Sequence, residues 1–133
     1  MPAALEVVAA AIHSDGRVLA CRRRQGKAAA GMWEFPGGKV ESGERPESAL
    51  QRELLEELGV EVQVGDLIDR SSTTVGALTI DLATYWVSLV DDHPTESTDH
   101  DQLEWLSPEQ LPTLEWAEPD LPAVLAITRQ SSR

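Results

Sequence analysis

Between Gly38 and Val60 the chain reads GKVESGERPESALQRELLEELGV, and no other stretch constrains the fold as strongly. Pro46–Leu58 is expected to be a helix, because proline suits the first helical position and Gly59 the C-terminal stop. Leu50, Leu54 and Leu58 recur every four residues and form an apolar stripe that seeks burial. Glu53, Glu56 and Glu57, spaced i, i+3 and i+4, gather on the adjoining side. Like charges that close repel one another, so a divalent cation among them would turn the arrangement favourable. Hard cations such as Mg²⁺ take oxygen ligands and share them with phosphate and water. Arg52 can orient a carboxylate through paired, charge-assisted bonds, and Ala49 leaves room for an ion. In the preceding loop, Gly37–Gly43, glycines let the backbone approach a ligand closely. A carbonyl there can face a metal, and Lys39 can reach a phosphate. A glutamate-rich helix alone is more often a solvated face, so the wider pattern has to decide.

The rest of the chain reads as strands and a few helical segments. Leu5–Ile12 is a buried strand, Asp15-Gly16 its hairpin turn, and Val18–Cys21 the returning strand. Arg22–Lys27 is a basic loop, and Trp33–Pro36 a short strand feeding a glycine pair. Val60–Val64 follows the helix as a strand. Leu78, Ile80, Leu82, Thr84 and Trp86 alternate as a half-buried strand would. Asp91–Gln102 reads as a polar loop, Leu103–Leu106 as a short strand, Ser107–Leu111 as a capped helical turn and Leu121–Gln130 as a final helix. Strands followed by helices at two places suggest a mixed sheet with helices packed over it.

At 133 residues the chain suits one domain, residues 1–133. The formal net charge is −12, and residues 61–133 carry three basic side chains against fourteen acidic ones. Such a surface repels a nucleic-acid polymer, whose phosphates demand Lys and Arg. It admits a small anion where a metal and a basic loop supply positive charge. No apolar run approaches the ~20 residues of a membrane span, and the N-terminus has no signal-peptide pattern. The single cysteine, Cys21, allows no internal disulfide and fits a reducing, cytoplasmic setting.

The Gly38–Val60 segment resembles the Nudix box, G-x5-E-x7-R-E-U-x-E-E-x-G-U, with U a bulky aliphatic. It matches at Gly38, Glu44, Arg52, Glu53, Leu54, Glu56, Glu57, Gly59 and Val60 without departure. Seven of these positions demand one residue type, so chance agreement is on the order of one in 10⁸ at average residue usage. The approach, Trp33-Glu34-Phe35-Pro36-Gly37, looks like that of the MutT-like branch.

The resemblance implies an α/β fold, the Nudix α/β/α sandwich around a mixed sheet. It also implies Mg²⁺- or Mn²⁺-dependent hydrolysis of a nucleoside diphosphate linked to another group. In MutT-like enzymes water attacks the β-phosphorus of a nucleoside triphosphate, giving the monophosphate and pyrophosphate. By position, Glu53, Glu56, Glu57 and the Gly37 carbonyl would hold the metal, with Glu53 the base. Arg52 would orient Glu53, Glu44 would support the site and Lys39 would contact phosphate. Glu104 stands near where relatives place a further acid that reaches the metal, and its bland alternative is an exposed acid beside a core tryptophan. Arg23 aligns with a nucleotide contact. Asp120 aligns with a base-reading position and also suits a helix N-cap. The three histidines, in turns or loops without ligand spacing, receive no role.

Two substrate readings remain open: oxidised purines, chiefly 8-oxo-dGTP, and CTP, dCTP or 5-methyl-dCTP. Val75–Leu78 lacks the proline and the tyrosine that mark relatives acting on ADP-ribose and on dinucleoside polyphosphates. The competing class is a nucleotide-binding sensor that no longer cleaves, which an intact box disfavours. The expected assembly is a monomer or homodimer, with no polymer or membrane partner.

Overall fold

The computed structural model describes residues 3–131. Strand β1 (Ala3–Ser14) runs through the middle of a mixed sheet. Its segment Val8–Ile12 is entirely buried because both faces of the sheet are covered. The side chains divide by strand alternation. Val8, Ala10 and Ile12 join one apolar cluster with Leu50, Leu54 and Leu58 of helix α1 (Pro46–Leu58). Ala9 and Ala11 join a second cluster with Ala123, Val124 and Ile127 of helix α2 (Leu121–Ser131). The result is the expected sandwich of helix, sheet and helix.

Strand β2 (Arg17–Arg23) returns through Asp15 and Gly16, which both adopt positive φ (52° and 75°), as a tight two-residue hairpin requires. Strand β3 (Trp33–Glu34) and strand β7 (His100–Leu106) both pair antiparallel with β2. Strand β4 (Gly37–Lys39) pairs with one side of β1. On the other side β1 lies parallel to β6 (Leu78–Leu89), which forms a long hairpin with β5 (Val62–Val75).

Several boundaries differ from the sequence reading. β5, expected to end at Val64, continues to Val75. Its outer part is polar and half exposed, and register shifts between Val64 and Asp69 break any alternation. Only Trp33 and Glu34 of the expected Trp33–Pro36 strand form β3, and Pro36, whose carbonyl accepts the Ala10 N–H (2.8 Å), stands between it and β4. His100–Gln102, expected in a loop, opens β7, and Arg22 and Arg23 belong to β2. Among the described residues no helix is long and apolar enough to cross a membrane.

Candidate active site

Helix α1 starts at Pro46 and stops at Gly59, which takes the left-handed conformation (φ 69°) and returns its N–H to Leu55 (3.0 Å). Its three carboxylates lie in different environments. The Glu56 side chain is 61% exposed and that of Glu53 20%, whereas Glu57 as a residue is only 5% exposed. Glu57 Oε1 is fully buried without a hydrogen-bond partner. Burial pushes the Glu57 carboxyl up to about 9, helped by the charges of Asp99, Glu34 and Glu53, while a backbone hydrogen bond from Gly37 works against the rise. A buried, unpartnered carboxyl oxygen is costly unless a cation or donor meets it. Its chemistry fits a hard divalent cation. Even so, among the described residues no three ligating side chains stand ready-gathered.

Arg52 ties several of these acids together. Its Nε and Nη2 donate to the two oxygens of Glu44 (2.8 and 2.9 Å), and Nη2 also donates to the Lys39 carbonyl (3.1 Å). Nη1 donates to Glu53 Oε1 (2.9 Å) and, at 3.5 Å, to Glu56. Hydrogen bonds from Arg52 and from the Glu41 N–H hold the Glu44 carboxyl down at about 2. The guanidinium therefore fixes Glu53 by one oxygen and leaves Oε2 packed against Gly38, where a Cβ would collide with the carboxylate. At Gly37 a Cβ would collide with the Val8 carbonyl of β1. These two glycines let β4 pass between β1 and α1.

A second acidic region lies along β3. The Trp33 N–H bonds the Glu115 carbonyl (2.9 Å) and the Ala117 N–H the Trp33 carbonyl (2.8 Å), which draws residues 115–120 alongside. Asp120 is 5% exposed, and its Oδ1 accepts the Phe35 N–H (3.1 Å) instead of an amide of the helix that follows. Burial and the charge of Glu34 push its carboxyl up, against the Phe35 hydrogen bond and Arg23. Trp116, tilted against Phe35 with ring centroids 4.7 Å apart, is packed in the core. Cys21 is buried, and burial with the charges of Glu57, Glu34 and Asp120 raises its thiol, so it is no nucleophile.

The basic stretch is exposed from Arg24 to Lys27, yet its cations are paired. Arg22 pairs with Asp101 (2.7 Å), Lys27 with Asp99 (3.3 Å), and Arg24 donates to the carbonyls of Ser97 and His100 (3.0 and 3.1 Å). Arg23 donates to the Ala28 carbonyl and to Glu34 Oε2 (2.9 Å), and so reaches the site beside Glu34. Lys39 is exposed on β4 and forms no ion pair among the described residues.

Glu104 lies apart from the α1 carboxylates. Leu103 and Trp105 pack towards α1, so alternation along β7 turns Glu104 to the opposite face, beside Ala20, where Gln102 bonds it (2.6 Å). It does not join the α1 carboxylates. The acid that acts on Glu57 from this part of the chain is Asp99, which sequence reasoning passed over as part of a polar loop. His100, given no role, is 3% exposed and bonds Glu34 (2.8 Å). A shallow depression lined by Glu6, Pro46, Arg70, Ser72 and Asp81 lies elsewhere and contains none of these groups.

The model of the family described as NUDIX domain matches residues 3–126. A CTP pyrophosphohydrolase of Escherichia coli K12 is 41% identical over 92% of this chain and 90% of its own. A putative 8-oxo-dGTP diphosphatase 2 of Mycobacterium tuberculosis is 40% identical over 86% of this chain and 81% of its own. The solution structure of the E. coli ORF135 protein superposes with a TM-score of 0.84 at 36% identity, covering 98% of this chain and 94% of that one.

Proposed function

This chain belongs to the Nudix hydrolases, and we propose that it is a Mg²⁺-dependent pyrophosphohydrolase of nucleoside triphosphates, releasing the monophosphate and pyrophosphate. The observation that carries the reading is Glu57, a buried carboxyl with an unpartnered oxygen, beside a Glu53 that Arg52 holds in place. The names of the two relatives support the substrate class.

Glu53, Glu56, Glu57 and the Gly37 carbonyl would hold the cation, with Mn²⁺ as a substitute. When bound, it neutralises phosphate charge and makes water at the site more acidic. Glu53 accepts the proton of the attacking water through its Oε2, the oxygen that Arg52 leaves free. Arg52 and Glu44 keep that carboxylate from rotating, and Lys39 meets the phosphates. Asp120 reads the base, with Arg23 beside it. Free nucleotides, not polymers, suit a net charge of −12. The same reading sets the protein in the cytoplasm, as a monomer or homodimer.

The test is pyrophosphate release with Mg²⁺ across the four dNTPs, CTP, 5-methyl-dCTP, 8-oxo-dGTP and ADP-ribose. Preference for a cytosine or an oxidised purine triphosphate supports the reading and chooses the pool it serves. Cleavage of ADP-ribose alone overturns it. Asp120→Ala is expected to change the ranking of bases more than turnover of the poorer triphosphates, and a uniform loss across bases would remove Asp120 from recognition.

The glycine pair gives an independent check. Gly38→Ala should keep the melting temperature while displacing Glu53, and lower turnover about a hundredfold, as an ångström-scale misplacement does. Gly37→Ala meets backbone, and should cost about 1–3 kcal/mol of stability. Equal activity in Gly38→Ala and the unaltered protein would show that the Glu53 position does not matter.

A further inference from the structure

His100 sits at the start of β7 with both ring nitrogens engaged. Nε2 lies 2.8 Å from Glu34 Oε2, and Nδ1 lies 2.7 Å from Ser97 Oγ. A carboxylate is an acceptor, so Nε2 carries a hydrogen. Ser97 Oγ accepts the Asp99 N–H (3.2 Å), which leaves its own hydrogen for Nδ1. The chain of donors thus runs from Asp99 through Ser97 and His100 to Glu34. Its base is anchored twice: the Thr98 N–H bonds the Glu57 carbonyl at the end of α1 (3.1 Å), and Arg24 bonds the Ser97 and His100 carbonyls.

Glu34 occupies the junction of the two acidic regions. Its charge acts on both Glu57 and Asp120, and its neighbour Phe35 gives its N–H to Asp120. Arg23 and His100 both bind the same oxygen, Oε2 (2.9 and 2.8 Å). The other oxygen, Oε1, is not among the buried unpartnered atoms, and the Glu34 side chain is 20% exposed. The network therefore holds one face of the carboxylate and leaves the other open as an acceptor next to Asp120.

We propose that His100 is a positioning residue for nucleotide recognition: it holds Glu34 so that Oε1 accepts a hydrogen bond from an exocyclic amino group of the base. The inference rests on the nucleotide-hydrolase reading for its ligand class and extends it to a specificity determinant. Its test is binding, measured by calorimetry without divalent metal so that no turnover intervenes. The probes are two pairs that differ at one amino group, CTP with UTP and GTP with ITP. The unaltered protein should prefer the amino-bearing member of at least one pair. His100→Leu should reduce that preference by roughly tenfold, as the loss of one hydrogen bond to a charged group implies. His100→Gln, which restores a donor near Nε2, should recover most of it. Ser97→Ala, which leaves the imidazole in place, should give an intermediate loss and guards against a misfolded His100→Leu.

A preference that survives in all three variants overturns the proposal, as does a uniform weakening that His100→Gln does not relieve. Absence of preference in the unaltered protein overturns it too. Triphosphate turnover with Mg²⁺ on the same samples tests the hydrolase reading separately.

Discussion

Glu53→Gln is expected to lower turnover of the best triphosphate by about 10²–10⁴-fold, the range that a positioned general base contributes, with the melting temperature nearly unchanged. The amide keeps the shape of the side chain and can still meet Arg52, but it cannot take a proton from water. The Glu53 side chain is 20% exposed and packs against Gly38 instead of filling the core, so the fold has little to lose. Initial rates with saturating Mg²⁺ measure the effect. Turnover near that of the unaltered protein would remove Glu53 from proton transfer and leave Glu56, Glu57 or Asp99 to be tested in turn.

Glu57→Gln should alter both metal binding and the pH dependence of stability. Without metal, Glu57 ionises only near pH 9 in the folded chain, against about 4.3 when unfolded. Between those values the folded state keeps a proton that the unfolded state has released. The stability this gives is fully present below the unfolded pKa and is lost as pH rises towards the folded one. One such group contributes a slope of at most about 1.4 kcal/mol per pH unit. Asp120, also pushed up by burial, acts with the same sign. The melting temperature of the metal-free protein should therefore fall between pH 5 and 8, and Glu57→Gln should flatten that fall. Mg²⁺ binding needs the carboxylate and so releases a proton, which makes affinity rise with pH. Thermal melts across pH, with and without Mg²⁺, check both parts. Metal-free stability that rises with pH, or a slope indifferent to Glu57→Gln, would contradict the buried-acid account.

What the sequence made legible was local. Helix α1 has the bounds read for it because Pro46 and Gly59 mark both ends within the segment itself. Arg52 meets Glu44 and Glu53 because all three lie within ten residues along one turn and helix. The inequality of the glutamates was not legible. Glu57 is buried only once the chain has folded, and its strongest charged neighbour, Asp99, lies in what read as a loop. His100 was missed for the same reason, since its partner Glu34 is 66 residues away. Asp120 read equally well as a helix cap, and only the pairing of β3 with residues 115–117 brings it to the Phe35 amide. The direction of Glu104 was legible: Leu103 and Trp105 flank it as apolar residues of one face, which turns it to the other.

The most direct test is product analysis on one preferred triphosphate, with Mg²⁺ and then with EDTA. One nucleoside monophosphate and one pyrophosphate per turnover are expected, abolished by EDTA and restored by excess Mg²⁺. Nucleoside diphosphate with orthophosphate as products, or cleavage that persists in EDTA, would contradict it.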